Sequence, residues 1–257
     1  MSIVLDWGSD TVRAVPHSED SILTSQFDER FPSVWPEYNR HGDVLEPLWP
    51  LLYETFAEFQ FVLVHDRTGE MLARGNSVPM VWDRDPAHLP AGIDDLARRA
   101  FAGWPQPPNT LSAMAAEVPP ENRSKGLGAL LLRAMAALAA GRGYSGLVAP
   151  LRPSLKERYP LAPIAGYMHW KGTDGLPFDP WLRLHTGLGA EILKPAPRSL
   201  RITGTVAEWE TWTGMAFPVT GPYVFPHGLS TLKVDRERNV GRYFEPNIWM
   251  LHPVTRA

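Results

Sequence analysis

The chain contains no cysteine. That excludes disulfides, cysteine-based zinc sites and a cysteine nucleophile. Nor does it have an apolar run long enough to span a membrane; the alanine-rich stretch ending at Gly141 carries Arg133 and is bounded by glycines. The opening residues MSIVLDWGSD lack the basic region and long apolar core of a secretory signal. The expectation is a cytoplasmic protein with no membrane contact. A surplus of positive charge is missing too. The 25 Lys and Arg stand against 28 Asp and Glu, for a net charge of −3. A broad nucleic-acid surface would make the chain basic, so no nucleic-acid partner is expected. His65 and His88 lie far from the other histidines, and no His-x-x-x-His or carboxylate cluster supplies metal-ligand spacing. No metal is expected. The 26 prolines are spread among turns and form no low-complexity tract. What remains is an ordinary globular composition, 44% hydrophobic and 21% charged over 257 residues, enough for one large domain or two small ones.

The most informative stretch is TLSAMAAEVPPENRSKGLGALLLRAMAALAAGRG, residues 110–143. Thr110 to Val118 is apolar and free of Gly and Pro, which predicts a buried strand. Pro119, Pro120, Glu121 and Asn122 stop it. From Leu127, apolar residues recur at helical spacing through Leu130, Leu131, Ala134, Met135 and Leu138, and Gly141 and Gly143 end the helix. A helix opening at Gly126-Leu127-Gly128 leaves its first N–H groups without internal partners, and its dipole adds partial positive charge there. Arg123 and Lys125 add formal charge beside it. An anion such as a diphosphate is favoured at such a place. Glycines used only for strand–helix packing would give the same pattern, and the spacing by itself does not separate the two.

Two other phosphate loops are excluded. The Rossmann spacing needs a third glycine where Leu131 stands, and no Gly-Lys-Ser/Thr follows four spacer residues. Arg123-x-x-Gly126-x-Gly128, after a strand ending at Val118 and before an amphipathic helix, resembles the R/Q-x-x-G-x-G/A acetyl-CoA loop of the GNAT family of N-acetyltransferases. Residues 118–128 are similar to that family's V-x-P-E-x-R-x-K-G-x-G pattern. The resemblance implies an α+β GNAT fold, a strongly twisted mixed sheet flanked by helices. It covers about residues 55–206 within a single domain spanning 1–257, with 207–257 as an aromatic-rich C-terminal extension. The whole pattern is similar to long actinobacterial members of the family.

The remaining elements follow from pattern. Ile3–Leu5 and Thr11–Val15 read as short strands, and 22–31 and 51–59 as helices. Gln60–His65 and Met71–Trp82 form a hairpin, with Pro79 marking a bulge or an edge. A helix is predicted over 92–102, a buried strand over 146–151 and a short helix from Ser154 to Tyr159. Residues 161–178 read as a Pro- and Gly-rich loop holding Tyr167 and His169, both expected in surface packing. Asp179 N-caps a helix with Pro180 at its first position. Ala190–Leu193 and Ser199–Val206 read as strands that pair with each other. The tail carries too many aromatics to leave in water and reads as short strands and loops packed on the core. Trp35, Tyr38 and Trp49 read as packing anchors, and the resemblance puts their region beside an acceptor pocket.

The resemblance further implies direct acyl transfer from acetyl-CoA to an amine, without a metal. The cofactor loop would comprise Ala116, Val118, Arg123, Ser124, Lys125, Gly126, Leu127, Gly128 and Ala129, with the thioester carbonyl contacted near Ala116–Val118. Glu117, the acidic residue of that strand, is the candidate base. Aligning Leu184-His185-x-x-x-Gly189-Ala190 with the family's L-Y-x-x-x-G-F ending puts His185 where a tyrosine usually serves as acid. A helix C-terminus would raise that histidine's pKa. Tyr159 is the second candidate acid. The expected acceptor is a small-molecule amine, and the expected assembly a monomer or homodimer. Transfer to a protein or peptide amine, or acyl-CoA binding without catalysis, are the alternatives.

Overall fold

Hairpins build the first half of the sheet. In the computed structural model, which describes residues 3–254, β1 (Ile3–Trp7) returns through Gly8 and Ser9 as β2 (Asp10–Pro16). Helix α1 (Ser21–Arg30) follows, N-capped by the Asp20 carboxylate, which accepts from the Leu23 N–H. Two short helices, α2 (Leu45–Leu48) and α3 (Leu51–Thr55), lead into the hairpin of β3 (Gln60–His65) and β4 (Met71–Met80). The bulge of β4 toward the next strand falls between Asn76 and Ser77 rather than at Pro79. The β3 ladder ends opposite Asn76, so Pro79 lies past it, where β4 has a neighbour on one side only.

Helix α4 (Ile93–Ala102) precedes β5 (Thr110–Glu117), α5 (Leu127–Gly141) and β6 (Leu147–Leu151), all close to their predicted bounds. The expected helix from Ser154 is absent. A single 3-10 turn, Lys156–Arg158, stands there, and the Ser154 hydroxyl donates to Asp179 instead of capping. The loop after it carries α6 (Ile164–Tyr167), and α7 (Pro180–Gly187) is capped by Asp179 as predicted.

The C-terminal part departs most from expectation. The two strands predicted to pair with each other are one strand, β7 (Glu191–Gly204), which pairs with β10 (Val240–His252). Pro195 and Pro197 are tolerated because β7 has a partner on one side only. Between them come α8 (Val206–Thr213), β8 (Gly221–Tyr223) and β9 (Leu232–Asp235). The sheet runs β1-β2-β3-β4-β5-β6-β10-β9-β8, with β7 on β10. Residues 207–254 are therefore not an appendage to a core ending at 206. Their longest strand lies directly beside β6.

Alternate residues of the central strands feed two cores, one on each face. Leu111, Leu147, Ile248 and Met250 pack with Leu130, Leu131, Ala134 and Met135 of α5. Met114, Val148 and Trp249 pack with α4, α8 and the tail aromatics. Trp209 is fully buried there, its indole N–H donating to the Gly241 carbonyl at 3.1 Å. It packs against Tyr38, Phe225 and Tyr243. Trp209→Ala should lower unfolding stability by about 3–5 kcal/mol in urea denaturation. A loss under about 1 kcal/mol would mean that the tail contributes little to the common core.

Candidate active site

The site begins where a ladder stops. The parallel strands β5 and β6 pair only at Leu111–Leu147 and Ser112–Val148. Beyond these the strands part, and their diverging halves line a cavity of about 1070 Å³ that takes in Ala113 to Val118 and Ala149 to Arg152. Successive residues of a strand direct their N–H and C=O groups to opposite edges. Those of β5 not used by β4 therefore face the cleft.

The N-terminus of α5 closes one side. Gly126 precedes the helix at φ +79° and Ser124 sits at φ +62°, so the turn uses left-handed backbone twice. Among the described residues no side chain caps the helix, and the N–H groups ahead of Ala129 have no partner within it. Buried Asn122 pins the turn to β4 by donating to the Leu72 carbonyl at 3.0 Å. Arg123, Ser124 and Gly128 line the cavity, together with Ala116 and Val118 of the predicted set. The others support the turn. Lys125 donates to Asn122 at 2.8 Å and its carbonyl accepts the Trp7 indole N–H. Leu127 enters the core, and the Ala129 N–H donates to the Gly126 carbonyl. The packing reading holds for Gly128. Gly126 supplies the backbone conformation, whereas a Cβ on Gly128 would come within 2.9 Å of the Trp181 ring, so Gly128 admits α7.

Glu117 lines the cavity but is not a free base. It is 3% exposed, and its Oε2 accepts from Arg74 at 2.9 Å. Arg74 also donates to Asp28 at 2.7 Å and lies over the Phe27 ring. Burial opposes the guanidinium charge, and the Glu117 carboxylate and Asp28 more than offset that, so Arg74 stays charged. Among the described residues Glu117 Oε1 has no hydrogen-bond partner.

His185 also lines the cavity, buried to 1% exposure. Its Nδ1 shares a proton with Nε2 of His252 at 2.8 Å, and its own Nε2 has no partner. The expected upward pKa shift is overturned. Burial pushes His185 down to about 3, with His252 acting in the same direction, and burial pushes His252 down to about 4. Desolvation outweighs the helix terminus, and both rings are neutral near pH 7.

Tyr159, the second candidate acid, lies outside the cavity. It is 38% exposed, packs against Trp170 and Phe178, and its carbonyl accepts from the buried Lys156. Tyr167 is buried rather than superficial, its hydroxyl donating to Asp179, while His169 is exposed. Trp35 and Trp49 do line the cavity; Tyr38 packs beneath it and donates to the His227 carbonyl. Three participants were not foreseen. Arg74 and His252 are two, and the third is Glu245, which accepts from Arg152 and Asn39 at 3.0 Å each. Alternation of Ile248, Met250 and His252 was the available signal that His252 points to the same face of β10 as the core residues Ile248 and Met250. Among the described residues no group of three His, Asp or Glu could hold a metal, and no helix is long and apolar enough to cross a membrane.

The chain belongs to the GNAT family of N-acetyltransferases. It is 31% identical over 264 residues to the arginine N-acetyltransferase avaD of Aspergillus versicolor, a match covering 89% of each chain. Its fold is similar to the loading GNATL domain of CurA from Lyngbya majuscula, with TM-score 0.59, 17% identity and coverage of 95% and 96% of the two chains. It is also similar to the GNAT-like decarboxylase GphF in complex with isobutyryl-CoA, with TM-score 0.55, 21% identity and coverage of 95% and 99%. No family model matches the chain.

The histidine pair should mark the acid side of the stability curve. Each ring binds its proton less readily folded than unfolded, where the value is near 6.5. Between those values the unfolded chain holds more protons, so this contribution is complete above about pH 6.5 and is lost as pH falls through it, by up to about 1.4 kcal/mol per pH unit for each ring. In urea denaturation at pH 7, 6 and 5, His185→Gln/His252→Gln should lose less stability on acidification than the parent. Parallel pH dependences would show that the rings titrate normally.

Proposed function

We propose that the protein transfers acetyl from acetyl-CoA directly to an amine of a small cationic molecule. The observation that carries this reading is one cavity lined both by the α5 N-terminal turn and by Glu117 and His185, each of which keeps one buried polar atom without a partner among the described residues. The α5 turn with Arg123 and Ser124 would hold the diphosphate. The free backbone edge of β5 would take the pantetheine and polarise the thioester carbonyl.

The acceptor end favours a small cation. Residues of the segment between α1 and α2, among them Phe31, Trp35 and Asn39, form part of the wall. That suits a small molecule better than a protein chain. Asp28 and Glu117 share one guanidinium, Arg74, which leaves that lining group one negative charge in excess. Arginine, the acceptor in the relative's name, is therefore the first acceptor to test.

The roles expected of the two side chains are revised. Glu117, held by Arg74 through one oxygen, is suited to anchor the acceptor's cationic group through the other. His185 is the proton carrier. Its neutral Nε2 takes a proton from the acceptor ammonium, and the amine nitrogen attacks the thioester carbon. As the C–S bond breaks, His185 returns that proton to the thiolate, and the second proton of the new amide nitrogen leaves to water.

Calorimetry with CoA and a free-thiol assay with acetyl-CoA and arginine test the reading. Arg123→Glu should weaken CoA binding by at least ~10-fold, about 1.4 kcal/mol. Glu117→Gln should raise KM for the amine more than it lowers kcat; the reverse would restore Glu117 as base. Unchanged CoA affinity in folded Arg123→Glu, with no thiol released by the parent, would overturn the assignment.

A further inference from the structure

One contact in the cavity wall is unexplained by cofactor binding or by packing alone. His185 and His252 are 1% and 3% exposed, and their ring centroids lie 4.8 Å apart. His252 comes from β10, where it stands opposite Leu147 of β6, while His185 comes from α7. The chain thus brings together two imidazoles 67 positions apart, joined by one hydrogen bond. The nitrogen left over on His185 is buried and has no hydrogen-bond partner among the described residues, and His185 is a residue of the cavity wall. The edge of the Trp181 ring packs against the same imidazole.

We infer that His252 is the positioning residue for His185: its Nε2 accepts the Nδ1 proton of His185 and so fixes the tautomer whose bare Nε2 faces the substrates. The inference rests on the proton-carrying role proposed for His185. In a neutral imidazole one nitrogen donates and the other accepts, and the partner of the first decides which is which. An acceptor at Nδ1 leaves Nε2 with its lone pair.

A neutral acceptor has a consequence that a carboxylate would not. A buried carboxylate behind His185 would favour imidazolium in the resting site and fill the lone pair before substrate arrived. An imidazole behind it supplies the hydrogen bond without the charge. When Nε2 takes a proton from the acceptor ammonium, the amine becomes neutral and His185 becomes imidazolium, with its Nδ1–H still donating to His252. That bond is charge-assisted only while the imidazolium lasts. It ends when Nε2 returns the proton to the departing thiolate. No ion pair joins either ring among the described residues, and the titratable group coupled to His185 is His252.

The test combines spectroscopy with kinetics. In protein carrying ¹⁵N-labelled histidine, two-bond NMR correlations at pH 7 should show His185 protonated at Nδ1 and bare at Nε2. His252→Phe should abolish that single tautomer and lower kcat for acetyl transfer by about 10-fold or more, with KM for acetyl-CoA changed less than about 2-fold. His252→Gln, whose carbonyl oxygen can accept from Nδ1, should recover the tautomer and most of kcat. His185 protonated at Nε2 in the parent would overturn the inference. So would full kcat in a folded His252→Phe protein while His185→Phe is slow. Full kcat in His185→Phe would overturn the role of His185 itself, and the inference with it.

Discussion

The parting of β5 from β6 is the constraint on which the rest of the structure depends. Two ladder pairs hold the strands together at one end. Past Ser112 each strand must satisfy its inner edge some other way, because buried N–H and C=O groups without partners are costly. A ligand with amides of its own can complete that edge. The fold therefore carries an incomplete hydrogen-bonding surface that a peptide-like cofactor arm can finish, and the uncapped α5 terminus offers a second one for a diphosphate.

Such a gap would close or collapse unless both strands were held from outside. β5 is held by seven pairs to β4. β6 is held by β10, whose residues 248–252 run antiparallel to all five of its residues. β10 is held in turn by β7 along most of its length. This explains why the aromatic tail is as buried as the core. Trp209, Phe217, Tyr243 and Trp249 are each fully buried, and they secure the strand that keeps β6 away from β5.

Local signals made much of this legible in advance. The strand–turn–helix of residues 110–143 was readable because a break at Pro119–Asn122 and a helical period from Leu127 are encoded within a few residues of each other. The hairpin of β3 and β4 was readable for the same reason. β7 was not, since Pro195 and Pro197 read as breakers and only an unpaired edge makes them tolerable. The place of β10 beside β6 joins residues about 100 positions apart, and no local pattern reports it. The same limit hid the chemistry. Glu117 and His185 were visible as titratable groups, but the groups that hold them, Arg74 and His252, lie far off in the sequence. A helix-terminus argument for His185 pointed the wrong way, because it considered the dipole and not the burial.

The cavity wall separates two kinds of polar group. Its buried arginines are tied in networks: Arg74 with Glu117 and Asp28, and Arg152 with Glu245, Tyr38 and the His227 carbonyl. Breaking a buried pair by removing one partner strands the other charge, at a typical cost of about 3–5 kcal/mol, so these groups are fixed in place. The histidines carry no such tie. A neutral pair adds little to the field of the empty site, yet it can take up one proton and release it. Fixed charges can orient a cationic acceptor, but they cannot change sign during the reaction. In the transfer proposed above, an uncharged imidazole pair would acquire charge as the ammonium loses it and give it up as the thiolate forms. The division of labour follows from burial: paired charges survive desolvation by holding each other, and single titratable groups survive it by staying neutral until a substrate brings a proton.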